Sequence, residues 1–281
     1  MNSSNLVSTQ RLVFILTLVY FFVELIGGLY YNSLALVTDA GFMAIDLAGQ
    51  LSAIYAGRLS RRPPDKYKTF GYERAKVLSG FVNGILVVFM MLYVVTDAYR
   101  RISKPEVLDV NKVFIIAVIG LFVNGYSVFQ LYKHSHDIAV RGSYLFLLND
   151  TLGSVGVIVS SMLIKFTGLY VIDAVTSIFI ALFVAYPTYF LVRDSINILM
   201  EANPEGIDTK KVERFIYENF DHAKHVKDMH IWALVPEKMI MTVRVRTEGK
   251  FYDREKIKSL KKLLREQFRF YDVFVEVYEE D

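Results

Sequence analysis

Six apolar stretches, each long enough for a helix that crosses a bilayer, fill the first two thirds of this chain and decide what it can fold into. A hydrocarbon core takes about 20 residues of helix. Inside it every backbone polar group must be satisfied within the segment, which leaves helices as the solution for runs of this length. The stretches cover residues 12–31, 34–59, 77–99, 113–132, 144–166 and 170–192. The short polar turn Asn32–Ser33 separates the first two and predicts a hairpin. The opening residues, MNSSNLVSTQR, are followed by an apolar run with no small-residue cleavage site, so that run reads as a retained helix.

Beyond residue 203 the chain is rich in Lys, Arg, Asp and Glu. The mean hydropathy of +0.33 therefore averages two different materials. The break predicts a six-helix transmembrane bundle over residues 1–200 and a small soluble domain over 201–281. In the tail, Asp208 can cap a helix that runs to about Asn219. Alternating runs over 226–234 and 239–245 read as strands, 253–268 as a helix with charges on one face, and 273–278 as a last strand. The order αββαβ predicts a ferredoxin-like α+β domain with its helices on one face of a small sheet. At about 75 residues such a domain is marginal alone, and docking on a second copy would help it.

The connectors set an orientation. The link between the second and third stretches holds Arg58, Arg61, Arg62, Lys66 and Lys68, with Arg74 and Lys76 at the start of the third helix. The first hairpin has no Lys or Arg, and the fifth and sixth stretches are joined with only Lys165. An even number of spans then places both termini in the cytoplasm, in a multi-pass protein of the cell membrane. Arg100, Arg101, Lys104 and Lys112 oppose this, because they lie in a connector that would be external.

Cysteine is absent, which excludes disulfides, iron–sulfur clusters and thiolate zinc sites formed by this chain alone. Any metal would be held by Asp, Glu, His, Asn or backbone oxygen. There is no nucleophile elbow, phosphate loop or HExxH, so no enzymatic activity and no organic cofactor are expected. The partner of most of the surface is the lipid bilayer, and no nucleic acid is expected.

Several segments resemble the cation diffusion facilitator family, in order and over nearly the whole chain. SLALVTDAGFMAID (33–46) is similar to that family's second helix, TFGYERAKVLSGFVNG (69–84) to the entry of its third, and RGSYLFLLNDTLGSVGVIVSS (141–161) to its fifth. ILMEANPEGID (198–208) resembles the exit into its cytoplasmic domain, and MHIWAL (229–234) a strand within that domain. The resemblance implies a dimeric exporter of a divalent metal cation (zinc, manganese, iron or cobalt) in exchange for protons, usually a homodimer and sometimes a heterodimer. It implies a transport site made of two i, i+4 pairs, one on the second helix and one on the fifth. An i, i+4 pair lies on one helix face.

The matching pairs here are Phe42 with Asp46, and Phe146 with Asp150. In zinc-transporting relatives the pairs are His with Asp, or two Asp, so both aspartates are kept and both other positions are phenylalanine. Each segment reads Phe-x-x-x-Asp-x-x-Gly, ending at Gly49 and Gly153, and glycine permits close helix approach in a membrane. A carboxyl inside a membrane costs about 2.5–3.5 kcal/mol on insertion scales, which points to function. The same two carboxyls could instead share a proton in a helix–helix contact.

Asp39, seven residues before Asp46, is a further candidate ligand, with a capping or helix-packing role near the outer face as the alternative. Asn149 is another, though an ideal helix turns it about 100° from Asp150; Thr151, Ser154, Asn83 and Asn124 are other oxygen donors within the spans. An oxygen-only shell favours harder ions such as Mn²⁺ or Mg²⁺ over Zn²⁺. Phe42 and Phe146 could instead plug the site. In that case the chain is a transport-inactive subunit or regulator that dimerises with an active relative.

By the same resemblance, Arg74 and Glu201 stand where a charged contact interlocks the dimer, and a simple surface salt bridge is the alternative. Glu24 is a mid-span acid that could line the entrance or make a structural hydrogen bond. Asp173 reads as a helix N-terminal charge. His134, His136 and Asp137 could hold a metal loosely. His222, His225, Asp228 and His230 cluster in the tail, but Val243 and Asp272 stand where metal-sensing relatives carry further histidines, so weak or no binding is expected there.

Overall fold

Polar turns and helix ends cut the described residues into eight helices and three strands. The structure is a computed structural model that describes residues 3–132, 138–247 and 253–278, and the side chains within them except at 3–10 and 138–145. His134, His136 and Asp137 lie outside the described residues.

The long helices are α1 (Ser3–Tyr30), α2 (Leu34–Leu59), α3 (Ala75–Ser103), α4 (Val110–Tyr132), α5 (Ile138–Thr167) and α6 (Val171–Leu199). Six of the described helices are long and apolar enough to cross a membrane. Several outrun the apolar stretches that predicted them. Residues such as Arg100, Arg101 and Ser103 continue α3 past its apolar stretch, because a solvated helix end needs no apolar side chains.

By packing, the chain forms two compact units. One comprises residues 1–54 and 82–191, the other 55–81 and 192–281. In the first, a core of Tyr20, Leu36, Phe42, Met43, Val87, Val94, Ala117, Val157 and Ala181 draws on all six helices. The α1–α2 turn passes through Asn32 at φ 59°, a left-handed conformation that Asn tolerates well. Asp173 lies in the first turn of α6, as a favourable N-terminal charge should. Its carboxylate is also the cap of another helix: it accepts from Leu34 N at 2.6 Å, Ala35 N at 3.3 Å and Ser33 Oγ at 2.7 Å.

Nearby, two of the four cations of the third connector are paired. Arg100 pairs with Asp97 at 2.7 Å and Glu106 at 3.4 Å, and Arg101 with Asp97 at 2.8 Å and Glu106 at 3.5 Å. Arg101 also donates to Asn32 O at 2.6 Å.

The second unit contains the tail domain: α7 (Thr209–Asn219), β1 (Ala223–Val235), β2 (Lys238–Thr247), α8 (Arg254–Phe268) and β3 (Asp272–Tyr278). β1 and β2 form an antiparallel hairpin, and β3 returns through α8 to pair parallel with β2. The caps are local. Asp208 accepts from Lys210 N, and Asp253 from Glu255 N and Lys256 N. Val212 and Ile216 of α7 and Leu260 and Leu264 of α8 pack with Val226, Met241, Val243, Val245 and Val273 of the sheet. This is the expected α+β arrangement.

α6 stops at Leu199, before Pro204, in a capping turn closed by Ala202 N to Asn197 O and Glu201 N to Ile198 O. Glu201 holds the left-handed position of that turn at φ 58°. Arg74 donates to it at 2.9 Å, a contact made within one chain. Lys238, at the β1–β2 turn, meets Glu73 at 2.5 Å, and that hydrogen bond pushes the lysine pKa up. In the preceding connector Asp65 accepts from Tyr72 Oη at 2.6 Å and from the amides of Lys68 and Tyr67. These bonds, Tyr72's first, hold its carboxyl below the usual range.

Candidate functional site

The site is built from helix faces. Within the first unit, α2, α3, α5 and α6 enclose a cavity of about 570 Å³. α2 contributes Asp39, Phe42 and Asp46, and α5 contributes Phe146, Asn149, Asp150 and Gly153. The i, i+4 and i, i+7 spacings read from the sequence thus put Asp39, Phe42, Asp46, Phe146 and Asp150 on the wall of a single space, and Asn149, which an ideal helix turns about 100° from Asp150, lines it too. Asp150 is 5% exposed, and it shares this wall with Asp46 and Asp39. Phe42 is buried and Phe146 half-buried, both on the same wall.

The two glycines of the repeated motif have a definite task. A Cβ on Gly153 would stand 2.2 Å from Asp39 Oδ1, and one on Gly49 would stand 2.5 Å from Asn83 Oδ1. Each glycine makes room for a polar side chain of the facing helix, beyond allowing close approach of the backbones.

Behind the cavity, Glu24 on α1 is fully buried and accepts from Tyr20 Oη at 3.1 Å; Tyr20 Oη also lies 3.2 Å from Ile116 O. Glu24 and Asp39 face each other carboxyl to carboxyl. One oxygen of each, Glu24 Oε2 and Asp39 Oδ2, has no hydrogen-bond partner. Glu24 therefore stands behind Asp39, and it is absent from the cavity wall.

Among the described residues no three carboxylate or histidine side chains converge closely enough to hold one metal ion. The carboxylates available to a single cation in this cavity number two at most, and further ligands have to be neutral oxygens. Asn149 on α5 and Asn83 on α3 supply such oxygens on the wall. Sequence spacing did not single out α3 or α6 as walls. Pro187 of α6 also lines the cavity. Having no N–H, it frees the carbonyl one turn earlier in its helix.

The tail cluster does not assemble. His222 sits 3.1 Å from the Lys256 ammonium, a poor setting for a metal. Beside His230, Asp228 and Glu276 are engaged by Arg244 at 3.3 and 3.2 Å. Arg244 also lies over the Tyr278 ring at 4.9 Å.

A family model described as the cation efflux transmembrane domain matches residues 11–200. The "Cation efflux system protein CzcD" of Alcaligenes sp. (strain CT14) is 34% identical over 260 residues, covering 92% of this chain and 82% of the relative. The "Cadmium, cobalt and zinc/H(+)-K(+) antiporter" of Bacillus subtilis (strain 168) is 36% identical, covering 79% of this chain and 72% of the relative. The "Zinc transporter ZitB" of Escherichia coli (strain K12) is 36% identical over 81% of this chain and 73% of its own.

Proposed function

The chain belongs to the cation efflux family, and from that premise we propose that it exports a divalent metal cation in exchange for protons, with Asp46 and Asp150 as the shared ligands. The observation that carries the reading is the cavity within the helical unit, on whose wall the two aspartates from α2 and α5 both stand. The relatives' names, which speak of cation efflux and of zinc, cadmium and cobalt, support the substrate class.

A carboxylate oxygen can hold a metal ion or a proton, and the two compete for the same lone pairs. Exchange follows if the cavity opens in turn to the two sides of the membrane, as in transporters whose helix groups rock about a midplane site. The donor set is all oxygen. It suits Mn²⁺, Fe²⁺ or Mg²⁺ better than a His-containing site would, and it weakens the preference for Zn²⁺. Asn149 is an additional neutral donor on the wall, which Asp39 also lines. In a dimer of two such chains, or of this chain with a relative, Arg74 and Glu201 brace the exit of α6, and both termini lie in the cytoplasm.

A second reading is favoured by one observation: Phe42 and Phe146 both line the cavity at the positions matched to ligands. A chain so plugged would act as a silent subunit beside an active relative. Proteoliposomes loaded with a pH dye separate the two. Mn²⁺-, Fe²⁺-, Co²⁺- or Zn²⁺-driven proton flux is expected from the protein alone and is lost on Asp46→Ala or Asp150→Ala. No flux with any of these ions, Mg²⁺ and Cd²⁺ included, leaves the silent subunit standing.

A further inference from the structure

Asn83 brings a third helix to the cavity. It stands on α3, and with Val87, one turn further on, it lines the space that Asp46, Asn149 and Asp150 line from α2 and α5. Its Oδ1 is buried and has no hydrogen-bond partner. A buried carbonyl oxygen without a donor is rare in native proteins and requires an explanation, such as an ion or a water. The oxygen is also held in place. Gly49, three residues beyond Asp46 on the same helix, leaves the gap that Oδ1 occupies, and a Cβ there would come within 2.5 Å of it. Among the described residues the wall that Asn83 joins carries Asp46, Asn149 and Asp150 and no Lys, Arg or His, so a cation there meets no like charge.

We propose that Asn83 Oδ1 is a ligand of the transported cation, supplying from α3 a neutral oxygen in place of the donors that Phe42 and Phe146 cannot provide. The inference rests on the reading of Asp46 and Asp150 given above and deepens it. A shell of two carboxylates and amide oxygens is hard, so Asn83 sets the ion preference towards Mn²⁺ and away from Zn²⁺. It also links cation occupancy to α3, because a bound ion would tie that helix to α2 and α5.

The experiment uses the full-length protein in proteoliposomes, with initial rates measured against Mn²⁺ and Zn²⁺ concentration. Asn83→Leu is expected to raise the KM for Mn²⁺ about tenfold, with a smaller change in the maximal rate and in the Mn²⁺-to-Zn²⁺ ratio of kcat/KM a fall of similar size. Asn83→Asp keeps an oxygen at the position and is expected to restore a low KM for Mn²⁺. The unfolding midpoint of each variant in detergent, without metal, reports any purely structural effect. If Asn83→Leu lowers that midpoint but leaves KM and ion preference unchanged, or if Asn83→Asp fails to recover KM in a folded protein, Asn83 is not a ligand. Asp46→Ala and Asp150→Ala are run beside these. Should they abolish uptake while Asn83→Leu does not alter KM, only this inference fails. Should they leave uptake intact, the site itself is misplaced.

Discussion

Gly153 shows how much a single hydrogen atom in place of a methyl group decides. The space it leaves holds Asp39, and a Cβ would overlap a carboxylate oxygen on a short side chain with little room to turn. Gly153→Ala is therefore expected to cost about 1–3 kcal/mol, the usual penalty of overpacking. A lowered unfolding midpoint in detergent, together with impaired Mn²⁺ uptake, is the outcome to look for; an unaltered midpoint and uptake would contradict the packing. Glu201 presents the opposite balance. Its left-handed backbone costs about 1–2 kcal/mol for a residue with a Cβ, whereas a surface pair such as that with Arg74 returns about 0–1 kcal/mol. Glu201→Gly is expected to be neutral or slightly stabilising in thermal unfolding, and Glu201→Ala, which keeps the strain and loses the pair, destabilising. Asp46, Asp150 and the two phenylalanines were legible in the sequence because the motif occurs twice. The partnership of Gly49 with Asn83 was not, because nothing in a one-dimensional pattern tells which helix faces which.

Local signals read well at the scale of elements. Asp208 and Asp253 precede charged helices and cap them, and the αββαβ order follows from alternation and periodicity. Replacing Asp253 by Ala is expected to cost about 1 kcal/mol, seen as roughly fivefold faster hydrogen exchange in the first turn of α8 in the full-length protein. Helix ends were less legible. Hydropathy reports where a helix meets lipid, and α3 and α6 continue as solvated helix beyond that point. Asp173 was visible as a charge on its own helix, but its role as the cap of α2 depends on a contact across the bundle. The connector before α3 should respond to pH. Asp65 has a depressed carboxyl pKa, so its hydrogen bonds contribute fully above the ordinary aspartate range and are lost as pH falls through the folded value. Amide exchange at Tyr67 and Lys68 is expected to rise only in acid, beyond its intrinsic pH dependence, and Tyr72→Phe to move that rise to higher pH.

For the molecule as a whole, charge in the connectors decides orientation. The cations between α3 and α4 opposed the expected topology, but Arg100 and Arg101 are matched by Asp97 and Glu106, so this connector carries far less free positive charge than its sequence suggests. The connector between α2 and α3 is different: among the described residues Arg61, Arg62 and Lys68 make no ion pair, and the carboxylate of Asp65 is taken up by its own turn. The chain has no cysteine, so a single introduced one reports its side of the membrane cleanly. Tyr67→Cys and Val107→Cys are both at highly exposed positions. In intact cells an impermeant thiol reagent is expected to label Val107→Cys and spare Tyr67→Cys; the reverse pattern would invert the topology.

The most direct test concerns the two aspartates acting as one site. A double-mutant cycle on Mn²⁺ uptake in proteoliposomes, with Asp46→Asn, Asp150→Asn and both together, measures whether they do. Each single variant should lose nearly all uptake, and the pair no more than either alone, as befits two ligands of one ion. Independent, additive losses, or uptake that survives either change, would place the cation elsewhere.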